Sequence, residues 1–426
     1  MTQSSNESTL AVAEAVASSR MAETPDAALE VDLRTLYRDV ARLQQEVRHR
    51  AQDLAVRYPQ SRDARFLLAE VLRASGEPEL ALAEYRSLRD GAPSNECRRI
   101  EQAMKLCEPE LAYQTLGFLA YLNGIQFARP EHRTYLLRDL ERGRRVAQVL
   151  RQWLPLRGQR VLDVGSSHGG MVMALAEQGS QAVGIEIEPR RSQVGCERVR
   201  ELGYEIEWHT GDICDPDLAA RLGDFDAVIC QDVLEHVMDP QCAIRHLCAL
   251  LRPGGIIYLA VPNKYAAGVI LGDHHYRIMG ISLLARAQGL EYFELATGIP
   301  AAHYDTGYYR TEKFYRSAFT RGGVELQPVE QWPTVEQVFW FAPVISALAS
   351  RLAEPIYPGL RPELAARIRR RARKVVELYV HACRVLKELE NQPEALAAAC
   401  HLVVSRLGVE LWRFIGTKTR PVAVSS

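Results

Sequence analysis

Between residues 160 and 261 the chain alternates short, strand-like apolar runs with amphipathic helical stretches, and no other feature restricts the fold as much. The runs are RVLDVG (160–165), QAVGIEI (181–187), YEIEWHT (204–210), FDAVIC (225–230) and GIIYLAV (255–261). Strands separated regularly by helices build a parallel sheet covered on both faces, an α/β architecture. Ligands of such sheets bind at the carboxyl ends of the strands, where the strand order reverses. Functional residues are therefore expected just after each run.

The residues found there are suited to a nucleoside. The first run passes Asp163 into the small-residue turn Gly165-Ser166-Ser167-His168-Gly169-Gly170 and then a helical stretch, MVMALAEQG. Glycine permits the tight turn and close approach of the backbone to a ligand; alone, such a loop suits a dinucleotide, a flavin or a nucleoside equally. The second run ends at Glu186, an acid able to accept from both ribose hydroxyls. After the third comes Thr210-Gly211-Asp212-Ile213, a carboxylate to which an adenine amino group can donate. The fourth continues as Gln231-Asp232-Val233-Leu234-Glu235-His236-Val237, and Arg252-Pro253-Gly254-Gly255 turns the chain into the fifth.

This ordered series resembles the class I S-adenosylmethionine-dependent methyltransferases, in the branch whose fourth motif reads DVLEHV, over residues 150–342. The resemblance implies a Rossmann-like seven-stranded fold and methyl transfer with S-adenosyl-L-methionine as cofactor and S-adenosylhomocysteine as product. It also implies that Asp163, Gly165 and Gly169 cradle the methionine moiety, with Ser167 standing where the family usually has its middle glycine. Glu186 would hold the ribose, Asp212 with Ile213 the adenine, and Gln231 would close over the ligand near its sulfonium.

Methyl transfer to a hydroxyl needs an aligned acceptor and a route for its proton. Asp232, Glu235 and His236 follow the fourth run, and their spacing predicts one face of a helix. They resemble the corresponding residues of two groups, the ubiquinone-pathway O-methyltransferases and the small-RNA 3′-terminal 2′-O-methyltransferases. In the second group, two acids, a histidine and a later histidine hold a divalent cation against the acceptor. By that likeness Glu235, His236 and His274 are the expected ligands of Mg or Mn, with His303 and Asp305 as rivals for the last place. Two other readings of His236 stay open, a general base and a purely structural role. The long segment 263–315 carries His275, Tyr276, Tyr308, Tyr309 and Arg310, suited to a polar ring such as a sugar, a phenol or a nucleobase, although the tyrosines can equally serve only to seal the pocket. The wording of DHHYRIMGISLL and TEKFYRSAFTRGGVEL is similar to bacterial methyltransferases encoded beside polysaccharide and secondary-metabolite genes. O-methylation of a glycan or small metabolite is the expected reaction; RNA 2′-O-methylation and a non-catalytic scaffold are the alternatives.

The flanks add helices. Residues 1–30 read as a mobile leader. Residues 31–125 read as a helical, tetratricopeptide-like region, with Leu68 and Ala69 facing Ala81 and Tyr85 and Pro59 and Pro93 one repeat apart, or equally as a generic helical hairpin covering the next domain. The catalytic domain is expected over 126–342, its last two strands forming a hairpin from 323–331 and 335–342. Beyond 343 a helical extension is expected, with a basic run from Arg361 to Lys374 and an apolar face (Val375, Leu378, Tyr379, Ala382, Val385, Leu386) for packing on the amino-terminal helices or for self-association. With 52 basic and 53 acidic side chains in 426 residues, net charge does not favour nucleic acid or an anionic membrane. Nine scattered cysteines without a CxxC pair argue against a disulfide framework or zinc ribbon and for a cytoplasmic setting. No apolar stretch is long enough to span a bilayer.

Overall fold

The computed structural model describes residues 50–74, 78–90, 92–93, 96–97, 99–101, 103–104, 114–125 and 130–419. The chain divides into two compact units, Met1–Gln114 with Phe127–Leu137, and Thr115–Gln126 with Arg138–Ser426. In the first, helices α1 (Arg62–Ala74) and α2 (Pro78–Arg89) pack around Ala69, Leu72, Ala81, Leu82, Tyr85 and Leu88. Fully buried alanines at 69 and 81 let the two helices approach, and Tyr85 packs obliquely against Phe66, ring centroids 5.5 Å apart. Residues 1–49, which include the expected leader and first helix, lie outside the described residues, as do Gly76 and Glu77 of the expected turn.

The second unit begins with α3 (Leu116–Asn123), capped by the Thr115 hydroxyl, which accepts from the Phe118 N–H. Phe118 and Leu122 are buried within this unit, so the expected boundary at 125 is displaced: an apolar helix lacking a polar face must be covered. After α4 (Pro130–Leu137, in the first unit) and α5 (Asp139–Leu150) comes the alternating region: β1 (Arg160–Val164), α6 (Gly170–Glu177), β2 (Gln181–Glu186), α7 (Pro189–Glu201), β3 (Glu207–Thr210), α8 (Pro216–Leu222), β4 (Phe225–Gln231), α9 (Pro240–Leu250) and β5 (Leu251–Pro262). These strands are parallel, and β1 and β4 pair side by side. The complete sheet has seven strands in the order β3-β2-β1-β4-β5-β7-β6. Its crossover between β1 and β4 is the topological switch point. Val164, Val183, Phe225, Val228, Ile257 and Leu259 pack under the helices as the core.

The far edge corrects the sequence reading. β6 (Val324–Pro328), which follows α12 (Glu312–Arg321), lies within the expected run, but 335–342 is not its partner: Thr334 and Gln337 form a capping box that starts helix α13 (Val335–Phe339). The strand between β5 and β6 is β7 (Leu411–Lys418), antiparallel to both, from the segment expected to be helical. Gly416 makes this possible, because a Cβ there would lie 2.6 Å from Val324 and 2.8 Å from Ile257. Residues 329–410 are therefore an insertion between the last two strands rather than an extension after them.

That insertion holds α14 (Ala342–Arg351), α15 (Pro362–Glu388) and α16 (Pro393–Val403). They share a second core with α10 (Ala267–Leu271) and α11 (Arg286–Thr297), built on Ile270, Leu283, Phe293, Ile345, Leu348, Ile368 and Val404. Of the expected packing face, Val375, Tyr379 and Leu386 are buried in that core and Leu378 is exposed. Among the described residues no helix is long and apolar enough to cross a membrane, and the eight described cysteines are free thiols.

Candidate active site at the strand tips

The turn after β1 is built from three left-handed residues, Gly165 (φ 78°), Ser167 (φ 49°) and Gly169 (φ 90°). A Cβ at Gly165 would meet Val233 at 2.6 Å, and one at Gly169 would meet Val199 at 2.6 Å. Two bonds hold Ser167 in the strained conformation: its N–H donates to Glu186 Oε2 at 2.9 Å and its Oγ lies 2.9 Å from His168 Nδ1.

Glu186 closes β2 as a buried carboxylate. It also accepts from the Glu188 N–H at 3.0 Å and from Arg191 Nε at 3.2 Å. Beneath it Asp163 is 4% exposed, and burial, reinforced by the neighbouring Glu186 charge, pushes its carboxyl up to about 7. Asp212 is exposed at the tip of β3 and accepts from the Cys214 N–H at 2.8 Å. Ile213 is buried beside it, its carbonyl 2.7 Å from His246 Nδ1. Gln231 ends β4 with its Oε1 buried and unbonded.

Sequence reasoning passed over His168. It is 2% exposed, stacked obliquely on Phe118 and Tyr121 of α3 at 5.0 and 5.2 Å, and burial pulls its pKa down to about 4. Arg198 binds its carbonyl at 2.9 Å while pairing with Asp139 at 2.6 Å. The loop is thereby locked to α3, α5 and α7. The signal was a bulky imidazole in a turn of otherwise small residues.

At β4 the expected helix is absent. Asp232 takes a left-handed conformation (φ 54°), its N–H donating to the Ala260 carbonyl, and Glu235 and His236 lie in the following turn. Helix α9 starts only at Pro240, because the Asp239 carboxylate accepts from the Gln241 and Cys242 N–H groups. Glu235 is 1% exposed, and among the described residues no other residue donates a hydrogen bond to either carboxylate oxygen. Burial raises its pKa well above the carboxylate range, and the charges of Asp232 and Asp305 add to that.

His236 and His275 meet edge to face at 4.9 Å, and His275 Nε2 lies 3.9 Å from Glu235 Oε1. One ligand atom from each of Glu235, His236 and His275 falls within 4.8 Å of the others. The structure brings His275, not the expected His274, beside Glu235 and His236; His274 Nε2 lies 2.9 Å from Glu410 Oε2 instead. The cause is the fully buried Asp273, whose carboxylate accepts the N–H groups of His275, Tyr276 and Ile278 and fixes the turn so that adjacent histidines diverge. Asp305 stands 3.9 Å from His236 Nδ1 and accepts from the Tyr276 hydroxyl at 2.6 Å. Burial lowers the pKa of His236, opposed by Asp305. Tyr276 thus reaches the cluster and His303 contributes a carbonyl to it. Tyr308 donates its N–H to the Glu235 carbonyl at 3.2 Å, Tyr309 is buried beside it, and Arg310 turns outward over Phe314.

Residues 132–325 match the family model described as a methyltransferase domain. These residues carry a class I S-adenosylmethionine-dependent methyltransferase domain. The match stops inside β6, before the insertion that separates the domain's last two strands. Part of this chain is 35% identical over 135 residues to the ubiquinone biosynthesis O-methyltransferase of Xanthomonas axonopodis pv. citri, strain 306, covering 28% of this chain and 56% of that one. The Xanthomonas campestris pv. campestris (strain B100) protein of the same name is 35% identical over 137 residues, covering 29% and 56%. The chain therefore spans little more than half the length of these relatives. Among solved structures, the magnesium protoporphyrin IX methyltransferase of Synechocystis PCC 6803 is 19% identical, with 49% of this chain and 84% of that one covered and a TM-score of 0.34. The amino pentose methyltransferase of Micromonospora echinaspora is 24% identical, with 34% and 56% covered and a TM-score of 0.26.

The methyltransferase domain has the donor set for its cofactor. The left-handed turn exposes backbone to a ligand, Asp163 is a carboxylate suited to an ammonium, and Glu186 and Gln231 offer acceptors at the neighbouring strand tips. Glu235, without a donor from any other residue, and two imidazoles suit a divalent cation.

Proposed function

We propose that this chain transfers a methyl group from S-adenosylmethionine to a hydroxyl oxygen of a small molecule carrying a polar ring, such as a sugar or phenolic metabolite. The observation that carries this reading is Glu235, a buried carboxylate without a donor from another residue, set beside His236 and His275 at the tip of β4. The O-methyltransferase names of the relatives over the matched segment support oxygen as the acceptor atom. S-adenosylmethionine, when bound, supplies a methyl carbon activated by its sulfonium.

The chain's own residues do the rest. Asp163 holds the ammonium, Glu186 the ribose, Asp212 and Ile213 the adenine, and Gln231 faces the sulfonium end. Glu235, His236 and His275 would hold Mg or Mn, which lowers the pKa of an acceptor hydroxyl and orients it. Tyr276 and Asp305 position His236. A second reading keeps His236 as general base without a metal; it is favoured by the neutral imidazole that burial maintains and by Asp305 beside Nδ1. RNA as acceptor has less support, because Arg361, Arg367, Arg369 and Arg371 of the basic run all bond within the unit.

The test is transfer of isotopically labelled methyl from S-adenosylmethionine into a fractionated cell extract. Label in the carbohydrate or small-molecule fraction is expected. Label in RNA, or none despite tight S-adenosylhomocysteine binding to an active preparation, would overturn the proposed acceptor class.

A further inference from the structure

The loop after β3 carries Asp212 and Ile213, the two residues given to the adenine, and it is tied down from both sides. On one side the Thr210 Oγ1 lies 2.5 Å from the Ser192 hydroxyl of α7, and the Gly211 N–H donates to the Glu186 carbonyl at 3.0 Å. On the other side the tie comes from a helix 33 residues further along the chain: His246 of α9 places Nδ1 2.7 Å from the Ile213 carbonyl. A carbonyl oxygen only accepts, so Nδ1 carries the proton and donates.

The bonds inside the loop are short-range. The Cys214 N–H holds Asp212 Oδ1 at 2.8 Å, and the Asp215 N–H donates to the Asp212 carbonyl at 2.9 Å. They orient the carboxylate within the loop and leave the loop's own position to its anchors. Two further contacts with the start of α9 are long sulfur contacts: Cys214 Sγ lies 3.8 Å from the Asp239 carbonyl, and Cys242 Sγ 3.9 Å from the Cys214 carbonyl. Thiols are weak donors, so the imidazole is the strong link on this side. Ile213 is 5% exposed and its side chain belongs to the core beneath α8 and α9, so its carbonyl depends on that donor. A recognition group must be held to within about 0.5 Å to be selective, and supporting hydrogen bonds supply that precision.

We propose that His246 is a positioning residue for adenine recognition: by donating to the Ile213 carbonyl it sets where the loop presents Asp212 to the adenine amino group. The inference rests on the methyl-donor reading. Calorimetric titration of the full-length chain with S-adenosylhomocysteine, and with its inosine analogue, tests it; in the analogue an oxygen replaces the amino group. The original chain is expected to prefer adenine by about tenfold or more, since a carboxylate accepts from an amino group and repels a carbonyl. His246→Ala should bind S-adenosylhomocysteine about tenfold more weakly and the inosine analogue within about twofold, so that the preference falls by about fivefold. His246→Asn, whose amide nitrogen can stand in the place of Nδ1, should restore affinity and preference to within about threefold. Arg245→Gln, exposed on the same helix, should change neither by more than about twofold.

An unchanged preference in His246→Ala would overturn the proposal. So would an equal loss towards both ligands, which is what general support of the fold produces. Should His246→Ala fail to fold, loss of the preference in a folded His246→Asn would decide against it. Failure of the underlying reading leaves a different pattern. If the original chain binds the two ligands equally, or Asp212→Ala keeps the preference, the adenine assignment itself falls and the role of His246 with it.

Discussion

The two halves of the strand-tip cleft are built in opposite ways. At β1 to β3 the residues come from consecutive loops and bond to one another: Ser167, Glu188 and Arg191 all donate to Glu186. At β4 and β5 the residues come from turns far apart in sequence, at 235, 275 and 305, and the central carboxylate receives no donor from another residue. The first half is organised before a ligand arrives. The second holds a buried acid that only a proton, a cation or an acceptor can satisfy. A nucleoside pocket can be shaped by local backbone; a centre that must hold a metal or move a proton needs groups in an unsatisfied state.

The largest effect is expected in the second half. His236→Ala and Glu235→Gln should each lower kcat by roughly a thousandfold, while S-adenosylhomocysteine binds within twofold. Retained turnover in His236→Ala would reduce that residue to a structural role and break the contrast. Glu235→Gln should also raise Tm, since it removes an unsatisfied buried acid. Next in size is the metal dependence. A chelator should reduce activity by about a hundredfold and Mg or Mn restore it; His275→Ala should raise the metal concentration needed by about tenfold or more, and His274→Ala should not. Chelator-insensitive turnover would leave His236 as the base.

In the first half, Glu186→Ala should weaken S-adenosylhomocysteine binding at least tenfold by calorimetry, because a buried diol loses its charged acceptor. Unchanged affinity would remove the ribose assignment. Asp163 makes binding depend on pH. Its ionised form attracts the ligand's ammonium, so affinity should fall about tenfold as pH drops from 8 to 6, and Asp163→Asn should flatten that profile. The same shift acts on stability. The folded pKa, about 7, lies above the ordinary 3.8, so the contribution of Asp163 to stability is greatest below 3.8 and declines as pH rises towards 7, by up to about 4 kcal/mol in the ligand-free chain. Denaturant titrations of the wild type and Asp163→Asn across that window check the sign. The smallest change is expected from Ser167→Gly, which relieves a left-handed serine. Stability should rise by about 1 kcal/mol or less and affinity stay within twofold.

How much was legible follows from where the information lies. Gly165, Glu186, Asp212 and Gln231 sit at strand ends, and strand ends are marked by local punctuation in the sequence. Identifying His275 rather than His274 required the Asp273 carboxylate to be seen gripping the turn, which no spacing rule supplies. The helical face expected for Asp232, Glu235 and His236 failed for a similar reason: Asp239 and Pro240 start the helix later, and the intervening turn presents the same side chains by another route. The misplaced final strand arose because Leu411–Lys418 directly follows a helical run, and its apolar residues fit either period over so short a length.

The sequence by itself determined the parallel sheet, the methyltransferase motifs and the place of Glu186, Asp212 and Gln231 at strand ends, because alternation, glycine turns and strand-end acids are local properties of the chain. Only the tertiary structure decided that β7 comes from 411–418, that the helices of 329–410 are an insertion, and that Glu235 meets His236 and His275. Those outcomes depend on which distant segments pair and pack, and neither a β-strand's partner nor a buried acid's neighbour is written in the residues beside it.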